Sequence, residues 1–403
     1  MYKEAKNSHN IKGVIEGFSS KAMSKYGALG VDVRKKGIER FKSVIDNLYP
    51  GAFCVITEDP SNPEMGLVNH ADSAGSKPIV SYLAYRETDD PQWFKGVAYD
   101  VMAMNIDDLV CVAADPISFV DYIAYNPMII DRVQLLEQLS QGFGDCFSML
   151  RREGLNVLFG GGETADLPDQ MRTLDVSGAL FGKVPLSKVI SGQAVQPGDM
   201  VIGLNSGGKV RYEEGVNSGL MCNGITLARN SLLKREYLDR YPELAHPDRR
   251  RFTGSYRLDD APDGLGMTVV EALTSPTRIF APVVTAVLSQ VGGGIHGMVH
   301  NTGGGQTKCL RVGAGVRYVK DSLPDPDPIF QLIQAEGDVA WREMYEDFNM
   351  GVGYEFIVNP DAVETVLGIA ESFGIGVQII GHCEDSTENS LVIDSNYGRF
   401  SYQ

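Results

Sequence analysis

Hydrophobic residues recur along this chain in two rhythms. Leu136, Leu139, Phe143, Phe147 and Leu150 fall three or four residues apart, the stripe of an amphipathic helix. Ile38, Phe41, Val44, Ile45 and Leu48 repeat that spacing and predict a helix over 35–48. A third helix is predicted over 96–113. Short apolar runs bounded by turn residues predict strands at 53–57, 67–70, 117–124, 155–159 and 173–184. Residues 1–30 are polar and glycine-bearing, and predict an extended arm leading into Gly30-Val31-Asp32-Val33.

From Pro185 to Gly198 the pattern breaks, ending in Pro197-Gly198, and predicts a joint between domains at 1–190 and 191–403. Beyond it, strands are predicted at 200–204, 296–301, 353–358 and 376–381. Helices are predicted at 225–233, 327–335 and 361–373. Another is expected to begin at Thr274, with Pro276 in its first turn and the apolar run Ile279–Leu288 behind it. Polar residues 236–266, including Arg249-Arg250-Arg251, predict a surface excursion. This second half reads as an α/β layer.

Composition narrows the functional classes. The 403 residues are 43% hydrophobic and 22% charged, with a net charge of −16. That acidity argues against nucleic acid or an anionic membrane as partner, and leaves any anionic substrate to be met by local donors. The six cysteines, Cys54, Cys111, Cys146, Cys222, Cys309 and Cys383, form no CxxC pair and sit in apolar segments, as free buried thiols do. No apolar run has the length of a bilayer span, and Met1-Tyr2-Lys3-Glu4 opens no signal peptide, so a cytoplasmic protein is expected.

Candidate chemistry gathers at four places. The strand 155–159 runs into Gly160-Gly161-Gly162-Glu163-Thr164-Ala165-Asp166, read as a glycine turn followed by two carboxylates. Carboxylates repel bare phosphate, so such a turn suits a metal that itself carries phosphate. Asp72-Ser73-Ala74-Gly75-Ser76-Lys77 sets an acid, small residues and a lysine at a strand end, without Walker A spacing. On the 96–113 helix, Asp100 and Asp107 fall within about 20° of one face, and Asp108 about 80° further round. Among Val, Met and Leu, three acids are costly to bury without a cation. Thr302-Gly303-Gly304-Gly305 is a second glycine turn after a strand, opening a helix as anion sites do.

Taken in order, these stretches resemble the phosphoribosylformylglycinamidine cyclo-ligase (aminoimidazole ribonucleotide synthetase) family. Gly30-Val31-Asp32, Asp72–Lys77, Asp100–Leu109, Asp121-Tyr122, Gly161–Ala165, Asp175–Gly178, Thr277–Ile279, Thr302–Gly305, Met344-Tyr345 and Phe348–Gly353 span nearly the whole chain. The resemblance implies a two-domain fold, with a β-rich N-terminal domain that completes a barrel across a homodimer and an α/β C-terminal domain. It implies ATP-dependent ring closure of formylglycinamidine ribonucleotide, with Mg²⁺ as cofactor. Mapped onto this chain, Asp72, Ser73, Gly75, Ser76, Lys77, Gly161, Gly162 and Thr164 would bind nucleotide, and Lys77 would offset triphosphate charge. Asp72, Asp100, Asp108 and Glu163 would hold the metal, with Asp107 standing where the family has Asn. Thr302, Gly303, Gly304 and Gly305 would bind the substrate phosphate, and Asn223 would orient the substrate for catalysis.

The chain departs from the family at Met221-Cys222-Asn223-Gly224, where His-Ser-Asn-Gly is usual, and in insertions near 209–214 and 236–266. Two other readings therefore stand beside the first. One is an ATP-dependent enzyme of the same fold with a different acceptor; the absence of cysteine from the early glycine-bearing arm weighs against a selenophosphate synthetase. The other is a non-catalytic ATP-binding regulatory dimer.

Overall fold

The computed structural model describes residues 24–403 apart from Val33, Arg34, Lys36 and Arg250. Most of the N-terminal arm and part of the 249–251 arginine run lie outside the described residues.

The first sheet comprises β1 (Ile56–Glu58), β2 (Met65–Ser73), β3 (Asp115–Tyr125), β4 (Leu158–Asp166) and β5 (Leu174–Pro185), in the order β1-β2-β5-β3-β4. Only the β3–β4 pair is parallel. In β5 every second residue is buried, so one sheet face is packed and the other open. The packed face lies under α2 (Lys77–Thr88), α3 (Lys95–Val110) and α4 (Arg132–Arg152), while α1 (Lys25–Ala28) is a single turn. Within one chain this sheet is open, with β1 and β4 at its edges.

The second sheet contains β6 (Met200–Asn205), β9 (Ile295–His300), β10 (Val316–Lys320), β11 (Val352–Val358), β12 (Val377–Asp385), β13 (Ser390–Ser395) and β14 (Gly398–Tyr402). Its order is β14-β13-β10-β12-β6-β11-β9, antiparallel except for β10–β13. A ribbon of β7 (Gly207–Gly208) and β8 (Asn217–Ser218) joins the two Asn-Ser-Gly loops. The helices of this half are α5 (Ile225–Leu232), α6 (Glu236–Arg240), α7 (Val269–Thr274), α8 (Ala281–Val291), α9 (Pro328–Gly337), α10 (Trp341–Asp347) and α11 (Val363–Ser372).

α3 is the hinge pin of the molecule. Every residue from Val97 to Val110 except Tyr99 is buried, and the helix touches both sheets and α8. A helix enclosed all round has no wet face, so its acids need partners inside the protein.

Three local expectations are corrected. The 35–48 helix is a 3₁₀ turn at Ile38–Ser43 followed by irregular chain. Its apolar residues are 41–74% exposed and face none of the core that buries the other helices. The glycines at 160–162 do not turn the chain: they continue β4, where β3 advances two residues from Phe119 to Asp121 while β4 advances three, from Phe159 to Gly162. The extra residue makes a bulge, and Gly161 takes it with φ +89°. Finally, Thr274 ends α7 instead of starting a helix; α8 begins at Ala281, with Pro282 in its first turn. Residues 275–280 are thus free to reach α3.

Candidate active site

The three acids of α3 are each answered by the protein. Asp100, fully buried, accepts at Oδ1 from Lys77 Nζ (2.6 Å), Thr277 N (2.8 Å) and Thr277 Oγ1 (2.6 Å). Lys77 is equally enclosed and also donates to the Ser275 carbonyl at 2.7 Å. Lys77 and Asp100 belong to the first sheet's layer, Ser275 and Thr277 to the second half of the chain. The ion pair therefore sits in the seam between them.

Asp107 accepts from the backbone N–H of Phe280 (2.9 Å) and Ala281 (2.7 Å). It caps α8 from another helix, a carboxylate at the positive end of a helix dipole. Burial raises its pKa well above the usual range, against the two backbone bonds.

Asp108 anchors a cluster that bridges the two halves. Its Oδ1 pairs with His300 Nδ1 at 2.7 Å, and Oδ2 lies 3.2 Å from His70 Nε2 and 3.8 Å from Lys308 Nζ. His70 Nδ1 meets Asn105 Oδ1 at 3.3 Å, and Lys308 donates to Thr302 Oγ1. Burial alone would raise the Asp108 carboxyl, but Lys308 and the two histidines outweigh it and hold it well below the usual range. Burial also disfavours the charged form of His70, yet the Asp108 contact wins and raises its pKa; for His300 burial wins and lowers it. Asp108→Asn is expected to cost about 3 kcal/mol, since it leaves Lys308 and the histidines without their anion. The depressed carboxyl stabilises the fold above the unfolded pKa of about 4 and loses that contribution as pH falls. Urea unfolding at pH 7 should show the variant's deficit, because the carboxylate's contribution is complete there and starts to be lost only below about pH 4.

The loops of the candidate site meet beside this cluster. A Cβ on Gly75 (φ +60°) would stand 3.3 Å from the Cys222 carbonyl, and Ser76 Oγ lies 2.8 Å from Thr226 Oγ1. The 72–77 loop thus abuts the turn that carries Asn223. Asp72 accepts from its neighbour Ser73 N at 2.8 Å, and Asn105 bonds the Asp72 backbone on both sides. Asp175 lies near enough that burial and then the Asp72 charge raise its pKa. Thr302 is buried and joined to the Asp108 cluster through Lys308, while Gly303 is exposed, with open space where a Cβ would stand. The turn leads into a 3₁₀ helix, Gly305–Arg311. Behind it, the buried pair Lys320–Glu355 (2.6 Å) holds Asn301 and Gln306.

Glu163, Gly161, Gly162 and Thr164 lie apart from these loops. The register Ser73↔Ser177, Tyr122↔Ser177, Tyr122↔Glu163 puts Glu163 three strand steps from Ser73, roughly 14 Å. Among the described residues, no three His, Cys, Asp or Glu side chains are grouped to hold a metal ion. All six cysteines are buried and free.

Sequence reasoning passed over His70, His300, Lys308 and Arg278 as site residues. His70 is two residues before Asp72, and His300 two before Thr302, so each shares a strand end with a motif that was legible. Arg278 donates to the carbonyls of Asn205 (2.6 Å), Gly207 (2.9 Å) and Gly208 (3.0 Å) and pairs with Glu213. It holds the Asn-Ser-Gly loops in place. Met221 is buried in the core at 1% exposure, where the resembled family has histidine.

Residues 52–184 match the family model for the AIR synthase related protein N-terminal domain, and residues 196–394 that for its C-terminal domain. The chain belongs to the AIR synthase related family. It is 34% identical over 322 residues to the phosphoribosylformylglycinamidine cyclo-ligase of Methanococcus maripaludis, covering 80% of this chain and 79% of that one. The enzyme of that name from Methanocaldococcus jannaschii is 33% identical over the same shares. Among solved structures, phosphoribosylformylglycinamidine synthase II of Thermotoga maritima superposes with TM-score 0.53 at 12% identity, covering 94% of this chain and 50% of that chain. Thiamine-monophosphate kinase of Stenotrophomonas maltophilia gives 0.51 at 14% identity, covering 90% and 96%. At such identities these two show the shared fold alone. No helix among the described residues is long and apolar enough to cross a membrane.

Proposed function

We propose that this chain is a phosphoribosylformylglycinamidine cyclo-ligase. It closes the ring of formylglycinamidine ribonucleotide to aminoimidazole ribonucleotide, with conversion of ATP to ADP and phosphate. One observation carries the reading: relatives of that name match four-fifths of the chain at about one residue in three, and the match includes the loops that converge beside Asp108.

In this reading ATP phosphorylates the amide oxygen and an amidine nitrogen displaces the phosphate. Such chemistry is mostly positioning and charge neutralisation. Ser73, Gly75 and Ser76 offer small side chains and backbone donors to the nucleotide, as do Gly161, Gly162 and Thr164 on β4. Gly303 and Gly304 receive the substrate phosphate on backbone N–H groups, while the Gly305 N–H closes the turn on the Thr302 carbonyl (2.8 Å), and Asn223 orients the reacting end. Lys77 holds Asp100 and the 275–277 connection in register beneath the nucleotide loop.

Mg²⁺ fits the remaining acids. Asp72 and Asp175 are mutually unfavourable without a cation, and Glu163 is exposed and unspent. Asp72 and Asp175, with Glu163 supplied by a second copy because it stands three strands away in its own chain, are the ligands we favour, since Asp100 and Asp108 are committed to internal partners. Bound there, the ion would neutralise triphosphate charge.

We further propose a homodimer of two-domain subunits (1–190 and 191–403) in the cytoplasm. Val120 and Tyr122 stand 40% and 42% exposed on the open face of the first sheet, and the apolar residues of 38–48 lie bare. Both are surfaces a second copy would cover.

The test is turnover. Purified protein with ATP, Mg²⁺ and formylglycinamidine ribonucleotide should yield ADP and aminoimidazole ribonucleotide in equal amounts. No product with any monovalent-ion supplement overturns the assignment.

A further inference from the structure

The segment Tyr345–Asn349 is the common floor of the substrate loops. A Cβ on Gly224 would lie 2.1 Å from the Phe348 ring, and one on Gly305 2.2 Å from the Phe348 carbonyl oxygen. Asn349 Nδ2 donates to Ser206 Oγ (2.7 Å) and the Gly219 carbonyl (3.0 Å), and Gln306 Nε2 to the Asn349 carbonyl (2.6 Å). Asn223 Nδ2 donates to the Asp347 carbonyl at 2.9 Å. Both glycines therefore bring their loops onto this segment because neither has a side chain.

Asp347 is the acid of that floor. It is 3% exposed, and its Oδ2 has no hydrogen-bond partner; the Oδ1 of Asn223 beside it has none either. The acids facing it are Glu343 and Glu346 on its own helix; the Tyr26 hydroxyl of α1 stands beside it, and the Arg229 guanidinium of α5 lies beyond that tyrosine, unpaired with Asp347. Among the described residues no ion pair is made to it. Burial, and then Glu343 and Glu346, raise its pKa to about 8. A buried acid under the turn that carries Asn223, with no cation paired to it among the described residues, costs stability that a ligand can return.

We propose that Asp347 recognises the amidine of the substrate. This rests on the reading of the chain as a cyclo-ligase. An amidinium is a planar cation with parallel N–H donors, the match for a carboxylate. On pairing, the Asp347 proton leaves to solvent and two N–H···O bonds form, so the amidinium supplies the missing cation. The Oδ1 of Asn223 takes a further donor from the same end of the substrate.

Calorimetry of formylglycinamidine ribonucleotide binding to the full chain without ATP, at pH 7 in buffers of differing ionisation enthalpy, tests this. The wild type should release close to one proton per site. Asp347→Asn should bind about tenfold or more weakly and release none. Equal affinity, unchanged proton release in the variant, or no binding by the wild type overturns the inference. Binding without turnover overturns the proposed reaction and leaves this recognition standing. A thermal scan at pH 9 excludes misfolding as the cause. The raised carboxyl favours the fold below the unfolded pKa and loses that contribution as pH rises through about 8. Asp347→Asn, which cannot ionise, should therefore melt at or above the wild type at pH 9, and a lower melting temperature would show that the carboxylate already has a cation in the protein.

Discussion

Lys77→Met should lower the stability of the protein by about 3–5 kcal/mol, among the larger effects available to one substitution. Lys77 Nζ spends its donors on Asp100, the Ser275 carbonyl and Thr277 Oγ1, all buried. Without the ammonium, Asp100 keeps two bonds from Thr277 but loses the countercharge it has among the described residues, in a place water does not reach. The partner loss also loosens the seam, since Ser275 and Thr277 belong to the other half of the chain. Lys77→Met/Asp100→Leu separates the structural from the catalytic role of this lysine. Removing both charges should recover most of the lost stability, because a buried pair often gains little over apolar residues of similar volume. Urea midpoints for the wild type, the two single variants and the double variant form the cycle. A double variant that is stable but inactive would assign Lys77 to the triphosphate as well as to Asp100. A double variant no more stable than Lys77→Met would sink the ion-pair account.

The same residue shows what the sequence could and could not carry. Its strand-end loop was legible from Asp72 to Lys77, and so was the oddness of acids on an apolar helix. A cation was the right demand on physical grounds. Its nature was not visible, because Lys77, Lys308, His70 and His300 come from distant segments and the 274–280 stretch read as helix. Thr274 and Pro276 resemble a helix start, yet α7 and α8 flank them and the connection between runs extended to Asp100. The glycines of β4 misled for a related reason. Three glycines favour a turn locally, but a bulge is defined by the neighbouring strand, and β3 sets that register from a distant part of the sequence, as Asp121↔Gly162 shows. Strands β10, β13 and β14 escaped because they are short or carry mixed polarity, with Arg317, Asp394 and Arg399 interrupting any apolar run. The spacing of Ile38, Phe41, Val44, Ile45 and Leu48 marks an apolar face, but amphipathic spacing does not say which surface covers it.

That last point bears on Glu163. Glu163→Gln should reduce turnover on the order of a hundredfold with the fold intact, because the side chain is exposed on an edge strand and makes no buried contact, while the change deletes one charge from the metal's surroundings. Near-normal kcat at saturating Mg²⁺ would remove it from the site. The distance across the sheet allows a sharper version. Roughly 14 Å separate Glu163 from the row of Ser73, and the residues stand on a sheet that is open within one chain. In the proposed homodimer, Glu163 of one copy would serve the Asp72 loop of the other. Glu163→Gln and Asp72→Asn should each be nearly inactive alone. Unfolded and refolded together in equal amounts, they should regain about a quarter of wild-type activity, since half the dimers are mixed and each mixed dimer has one site with both acids intact. A mixture as inactive as its components would mean that each chain supplies its own pair of acids, and that the sheet must bend, or the loop at 72–77 move, to bring them together.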